Sequence, residues 1–180
     1  RDLLKRRWSL FFDQIVKQML LPMLDEGVVY YDLRSATTNV RWIPGEGELP
    51  GKFLLWDLDS LRASTSLRSG LPEDGRLPQL GSRTYHACNF VFAQVLIVAF
   101  CADRDIREEV LMTLVDKQQQ GRYLWSKSQP NIPPVTDFNA WIEEKERAGF
   151  LGLQATVQKI RNGKPLDRAC LDSLSQLKLS

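Results

Sequence analysis

Residues 27–61 read GVVYYDLRSATTNVRWIPGEGELPGKFLLWDLDSL, and the arrangement of the remaining chain depends on them. Pro44-Gly45 and Pro50-Gly51 bracket a turn between two of the apolar runs in this segment. The run before that turn alternates polar and apolar residues, which is typical of a half-buried strand. The sequence therefore predicts a strand, a polar loop and then a β-hairpin that leads into an acidic loop. The predicted strands are residues 28–30, 39–43 and 53–56.

Polar side chains that could serve in catalysis or metal binding lie at the ends of these predicted strands. Asp32 follows the first strand, Asn39 opens the second and Asp57 follows the third. A carboxylate can accept a proton from an attacking hydroxyl group. Carboxylate and amide oxygens are also the ligands that Mg²⁺ prefers. The sequence thus places two acidic residues just past strand ends, with an amide between them.

This constellation resembles the C-terminal lobe of a protein kinase or of a related small-molecule phosphotransferase. In that family a catalytic loop supplies an Asp and a downstream Asn, and a following hairpin ends in a metal-binding Asp. The resemblance implies that Asp32 is the catalytic carboxylate and that Asn39 and Asp57 are Mg²⁺ ligands. It also places Arg34 where a Lys often steadies the transferred phosphate.

Several positions depart from the standard kinase pattern. Tyr30-Tyr31 replaces the usual His-Arg, and the interval from Asp32 to Asn39 is two residues longer than in the standard motif. Residues 55–61, Leu-Trp-Asp-Leu-Asp-Ser-Leu, look more similar to divergent relatives such as the Crinkler effectors of oomycetes and fungi and the fungal-type kinases. The alternative interpretation is a β-hairpin flanked by ordinary turn aspartates, within a helical domain of another family.

Apolar periodicity predicts that most of the remaining chain is helical. Residues 4–23 form an amphipathic pattern that ends near Pro22 or Gly27, whereas residues 90–100 are apolar on every side and predict a fully buried helix. Residues 60–85 have no periodicity and predict a long loop in the place of an activation segment. Further helices are predicted at residues 105–117, around 138–142, at 153–160 and at 165–179, with Thr136 or Asp137 capping the second of these. The fold class is therefore mainly α with a small β-hairpin, α+β, in one domain spanning residues 1–180.

Composition excludes several classes of protein. A net charge of +2 gives no basis for nucleic-acid binding, and the longest apolar run, residues 90–102, is too short to cross a bilayer. The three cysteines, Cys88, Cys101 and Cys170, have no metal-type spacing, and His86 is the only histidine in the sequence. We therefore expect reduced thiols and an intracellular protein, in a host cell if the chain is an effector.

The sequence contains no Gly-rich phosphate loop, because residues 45–48, Gly-Glu-Gly-Glu, are acidic and would repel phosphate. The resemblance therefore implies a C-terminal lobe without its N-terminal lobe. One hypothesis is a kinase-derived domain, pseudokinase or effector-like, that binds a partner protein, with a second copy of the chain as the simplest partner. The other is the catalytic lobe of a Mg-dependent ATP phosphotransferase whose N-terminal lobe lies outside this chain. We expect Mg²⁺ and ATP to bind only if that lobe is supplied, and the isolated chain to be inactive.

Overall fold

A computed structural model describes residues 2–30, 33, 39–48, 50–64, 86–105 and 138–180. This part of the chain is mostly helical with two small antiparallel sheets, which confirms the α+β class. Asp32 and Arg34 lie outside the described residues, as do the predicted helix beyond Asp105, the predicted cap at residues 136–137 and most of the predicted loop 60–85.

The N-terminal helical segment has the extent that the apolar periodicity predicts. It comprises α1 (Asp2–Arg6), α2 (Trp8–Phe11), a π-helical stretch (Phe12–Leu20) and α3 (Leu21–Asp25). Pro22 lies in the first turn of α3, which follows directly on the π-helical stretch, and the segment continues to Asp25. Its buried apolar face consists of Leu4, Trp8, Phe11, Phe12, Ile15, Val16, Leu20 and Leu21.

The predicted hairpin is present and packs against this helical segment. Strand β2 (Val40–Ile43) pairs antiparallel with β3 (Lys52–Leu55), and Trp42 lies opposite Phe53. The ring of Phe53 contacts Phe11 edge-on at 5.6 Å between centroids. The side-chain oxygen of Gln14 accepts a hydrogen bond of 2.7 Å from the backbone N–H of Phe53. The hairpin is therefore held by both aromatic packing and a polar contact.

A second sheet was not predicted. Strand β1 (Val28–Tyr30) pairs antiparallel with β4 (Leu61–Ala63), with Tyr30 opposite Leu61. Residues 61–63 form a strand, so the prediction that a loop begins at residue 60 is wrong for these three residues. The pairing is extended by a 2.7 Å hydrogen bond from Ser64 N to Gly27 O. A three-residue strand has no periodicity of its own, so its partner, distant in sequence, determines its conformation.

Helix α4 (Ala87–Asp103) is the most deeply buried of the described helices, as its sequence predicts. Every residue from Asn89 to Asp103 is buried. The two polar ends of this buried run are hydrogen-bonded: Asn89 contacts Lys164 and Leu166, and Asp103 contacts Trp141. Most buried polar groups in proteins have such partners.

Three further helices complete the described chain: α5 (Phe138–Arg147), α6 (Leu153–Arg161) and α7 (Arg168–Ser173), followed by a 3₁₀ turn (Leu174–Gln176). The first two confirm the sequence predictions. The predicted helix over residues 165–179 is wrong at both ends. Its start is set by Asp167, whose carboxylate caps the helix by accepting a 2.9 Å hydrogen bond from Cys170 N. None of the described helices has the length and apolarity needed to span a membrane.

Candidate functional site

The hairpin brings two of the predicted site residues next to each other. Trp56 follows β3, and its backbone N–H donates a 2.6 Å hydrogen bond to the backbone carbonyl of Asn39, just before β2. Asp57 is the next residue after Trp56, so the backbones of Asn39 and Asp57 are close neighbours at the open end of the hairpin. Asn39 is buried, whereas Asp57 is exposed.

The backbone at Asp57 has a conformation that non-glycine residues rarely adopt. Its φ is 60° and its ψ is 66°, in the left-handed helical region. That region costs an L-residue roughly 1–2 kcal/mol, although Asp tolerates it better than most. Asp57 precedes the 3₁₀ turn Leu58–Ser60 without capping it through its side chain. An exposed carboxylate on a backbone in this conformation makes Asp57 a candidate functional residue.

The position of Asp57 is supported from the neighbouring sheet. Tyr30, which is buried in β1, donates a hydrogen bond of 2.8 Å from its hydroxyl group to the backbone carbonyl of Trp56. Tyr30 occupies one of the two positions where the kinase motif has His-Arg. Its role in this chain is to fix the peptide that precedes Asp57, a contact that the sequence pattern did not indicate.

Asn39 and Asp57 are of the right chemical type for Mg²⁺. The ion is usually held by one or two protein carboxylates, with substrate phosphates and water completing its shell. Asp57 offers one such carboxylate, and the neighbouring Asn39 offers an amide oxygen. Among the residues that the structure describes, no group of three or more His, Cys, Asp or Glu side chains could hold a metal ion. The proposed metal pair thus relies on one carboxylate and one amide.

The proposed catalytic residues Asp32 and Arg34 lie outside the described residues, so their convergence with Asp57 stays a prediction. The described end of their segment is Tyr30, which pairs with Leu61 on the strand that follows Asp57.

Exposed apolar side chains are concentrated around this site. Four large apolar residues are exposed in the described chain, and three of them, Ile43, Trp56 and Leu58, lie on the hairpin or directly after it. Trp56 is 53% exposed, and the guanidinium of Arg41 lies over its ring at 4.5 Å from the centroid. The sequence placed Trp56 at the end of an apolar strand and did not indicate that its ring faces outward.

Comparison with known proteins adds no family assignment: no protein-family model, no curated protein and no solved structure matches this chain.

Proposed function

We propose that this chain is a kinase-derived domain that acts by binding a partner protein through the exposed apolar face of its β2–β3 hairpin. The observation that carries the proposal is the exposure of Trp56 and Leu58 on either side of Asp57. A large aromatic side chain that remains outside the core is typical of the centre of a binding surface.

The alternation of the strands defines this surface. Phe53 and Leu55 are buried towards the helices, so Leu54 and Trp56 face outward. Ile43 lies opposite Lys52 and is therefore diagonal to Leu54 on the same outward face. These three apolar residues form a row along the hairpin. We call Ile43, Leu54, Trp56 and Leu58, with the flanking Arg41 and Lys52, the hairpin surface.

A second copy of the chain suits the hairpin surface. The cations Arg41 and Lys52 and the anions Asp57 and Asp59 are all exposed on or beside it. A two-fold symmetric contact places the same patch on both copies, and a patch with both charge signs can then pair with itself. Apolar residues at the centre and charged residues around them match the usual anatomy of a protein interface.

Sedimentation velocity over a concentration series tests this proposal. The wild-type chain is expected to form a dimer, and Trp56→Ser combined with Leu58→Ser is expected to remain monomeric. Leu151→Ser is the matched control, because Leu151 is 87% exposed but lies between α5 and α6. A wild-type chain that stays monomeric at every concentration would contradict self-association. A dimer that the double variant retains would contradict the hairpin surface.

The second candidate is the catalytic lobe of a Mg-dependent ATP phosphotransferase. The hydrogen bond from Trp56 N to Asn39 O supports it, because it keeps the backbones of the two proposed Mg²⁺ ligands close together. When bound, Mg²⁺ would neutralise charge on the phosphates of ATP. In this chain Asp57 and Asn39 would hold the ion, and Tyr30 would keep Asp57 in place.

Transfer of radiolabelled phosphate from ATP by the purified chain would establish the second candidate, whereas both candidates are compatible with an isolated chain that transfers none. The purified chain with Mg²⁺ is expected to incorporate no label, because the sequence offers no Gly-rich loop to enclose the phosphates. Incorporation that disappears in both Asp32→Asn and Asp57→Asn would establish the phosphotransferase. Incorporation that persists in these variants would indicate a contaminating kinase.

A further inference from the structure

Two half-buried cysteines, distant in sequence, meet where α4 begins and α7 begins. Cys88 lies in the first turn of α4 and Cys170 in the first turn of α7. The side chain of Asn89, the residue after Cys88, forms hydrogen bonds through both its nitrogen and its oxygen to the segment that precedes α7. Its side-chain nitrogen donates to Lys164 O at 2.8 Å, and its side-chain oxygen accepts from Leu166 N at 2.8 Å. The register between these two parts of the chain is therefore fixed by two hydrogen bonds.

Cys88 and Cys170 both contact Asp167, the residue that caps α7. The thiol of Cys88 donates a weak hydrogen bond to the backbone carbonyl of Asp167, with Sγ and O 3.5 Å apart. The carboxylate of Asp167 accepts a hydrogen bond from Cys170 N at 2.9 Å. Side chains in a helix point back towards its N-terminus, so the thiol of Cys170 lies over the cap that Cys88 contacts.

We propose that Cys88 and Cys170 form a reversible disulfide that links the start of α4 to the start of α7. With a small disulfide such as glutathione disulfide as oxidant, one protein thiolate attacks a sulfur of the oxidant and releases one glutathione thiolate. The second protein thiolate then attacks the protein sulfur of the mixed disulfide and releases the other glutathione. Two protein thiols are thereby oxidised to one disulfide, and one glutathione disulfide is reduced to two thiols.

The remaining cysteine does not compete for either thiol. Cys101 is buried at 1% exposure within α4. It lies about 20 Å along the helix axis from Cys88, given a rise of 1.5 Å per residue, which is far beyond disulfide reach. Burial raises the pKa of the Cys88 and Cys170 thiols, so both are mainly protonated at neutral pH. Both thiols will therefore react slowly unless the pH is mildly alkaline.

The test is oxidation of the reduced full chain with glutathione disulfide at mildly alkaline pH, at low protein concentration. Free thiols are then alkylated, the chain is digested and the cross-linked peptides are identified by mass spectrometry. We expect one intramolecular link between Cys88 and Cys170, with Cys101 alkylated, and the same link in Cys101→Ala. The oxidised chain is expected to melt at a higher temperature than the reduced chain, because the link closes a long loop.

Glutathione adducts on both cysteines without a link would overturn the proposal, as would a link to Cys101, a link between two chains, or two thiols that remain reduced. Since the link is mapped in the wild-type chain, the result does not depend on whether a variant folds. Cys88→Ser and Cys170→Ser, checked for folding by circular dichroism, should each abolish the intramolecular link and leave the partner cysteine as a thiol or a glutathione adduct.

Discussion

Asp57 holds a left-handed backbone conformation, with φ at 60°, that glycine would adopt without strain. We therefore expect Asp57→Gly to raise the free energy of unfolding by about 1 kcal/mol, measured by urea denaturation. Asp57→Ala is the matched control and should give no such gain, because alanine keeps the strain. A loss of stability in the glycine variant would show that the carboxylate stabilises the fold. The backbone conformation of Asp57 would then be no argument for a function.

The hydroxyl group of Tyr30 is buried against the backbone of Trp56, at 2.8 Å from its carbonyl oxygen. Tyr30→Phe removes that donor and leaves the carbonyl without this partner. We expect the free energy of unfolding to fall by about 0.5–1.5 kcal/mol, the usual net contribution of such a hydrogen bond to stability. Equilibrium unfolding in urea measures the difference, and an unchanged stability would mean that Tyr30 does not hold the peptide before Asp57.

At the scale of elements, α4 is the helix around which the described core packs. Leu96 is fully buried within it. Leu96→Ala should lower the free energy of unfolding by about 2–5 kcal/mol, because the shortened side chain leaves a cavity. Leu151→Ala, at a site that is 87% exposed, should change stability by less than about 0.5 kcal/mol. Equal effects of the two substitutions, measured by denaturant unfolding, would contradict the burial of α4.

The elements that the sequence predicts are those with a local signal. The uninterrupted apolar run of α4 and the two Pro-Gly pairs around the hairpin turn need no knowledge of distant residues. Strand β4 carries no such signal, because Leu61–Ala63 is extended only through its pairing with β1. The start of α7 depends on its cap at Asp167, and the apolar pattern alone placed it too early.

The candidate site, like the elements of the fold, was predictable from the sequence only in part. The strand ends predict that the side chains of Asp32, Asn39 and Asp57 converge. The hydrogen bond from Trp56 N to Asn39 O brings the backbones of Asn39 and Asp57 close together, and the convergence of the three side chains stays a prediction. The role of Tyr30 was not predictable, because a hydroxyl group that contacts a backbone carbonyl leaves no pattern in the sequence. The same is true of Trp56, whose outward orientation depends on which strand face packs on the helices.

At the scale of the whole molecule, a buried ion pair connects α4, α5 and the C-terminal residues. Asp103 contacts Lys145 at 2.6 Å and Trp141 Nε1 at 2.7 Å, and it accepts a hydrogen bond from Ser180 N. Burial alone would raise the pKa of Asp103, but the hydrogen bonds from Lys145, Trp141 and Ser180, together with the charge of Lys145, outweigh it and lower the pKa.

This pair predicts a pH-dependent stability. Because the folded pKa of Asp103 is below its unfolded value of about 3.9, the pair stabilises the fold above that pH, and this contribution is lost as the pH falls through the folded pKa. Asp103→Asn should cost roughly 3–5 kcal/mol at neutral pH, because it leaves Lys145 buried without its carboxylate. The difference from wild type should shrink when urea unfolding is repeated at about pH 3, below the unfolded pKa.

Asp13→Asn is the control for this prediction. Asp13 pairs with Lys17 at 2.9 Å, but both side chains are 47% exposed, so solvent screens the pair and the loss should be much smaller than for Asp103→Asn. A difference between wild type and Asp103→Asn that stays constant from neutral to acidic pH would show that the Asp103 carboxylate does not contribute through its charge.

The central claim, that the hairpin surface binds a second copy of the chain, is tested most directly by site-specific photo-crosslinking. A benzophenone amino acid replaces Trp56 in one sample and Leu151 in another, both side chains being exposed in the described chain. Self-association through the hairpin surface predicts covalent dimers after irradiation of the position-56 sample and none from the position-151 sample. No dimers from position 56, or equal yields from the two positions, would contradict it.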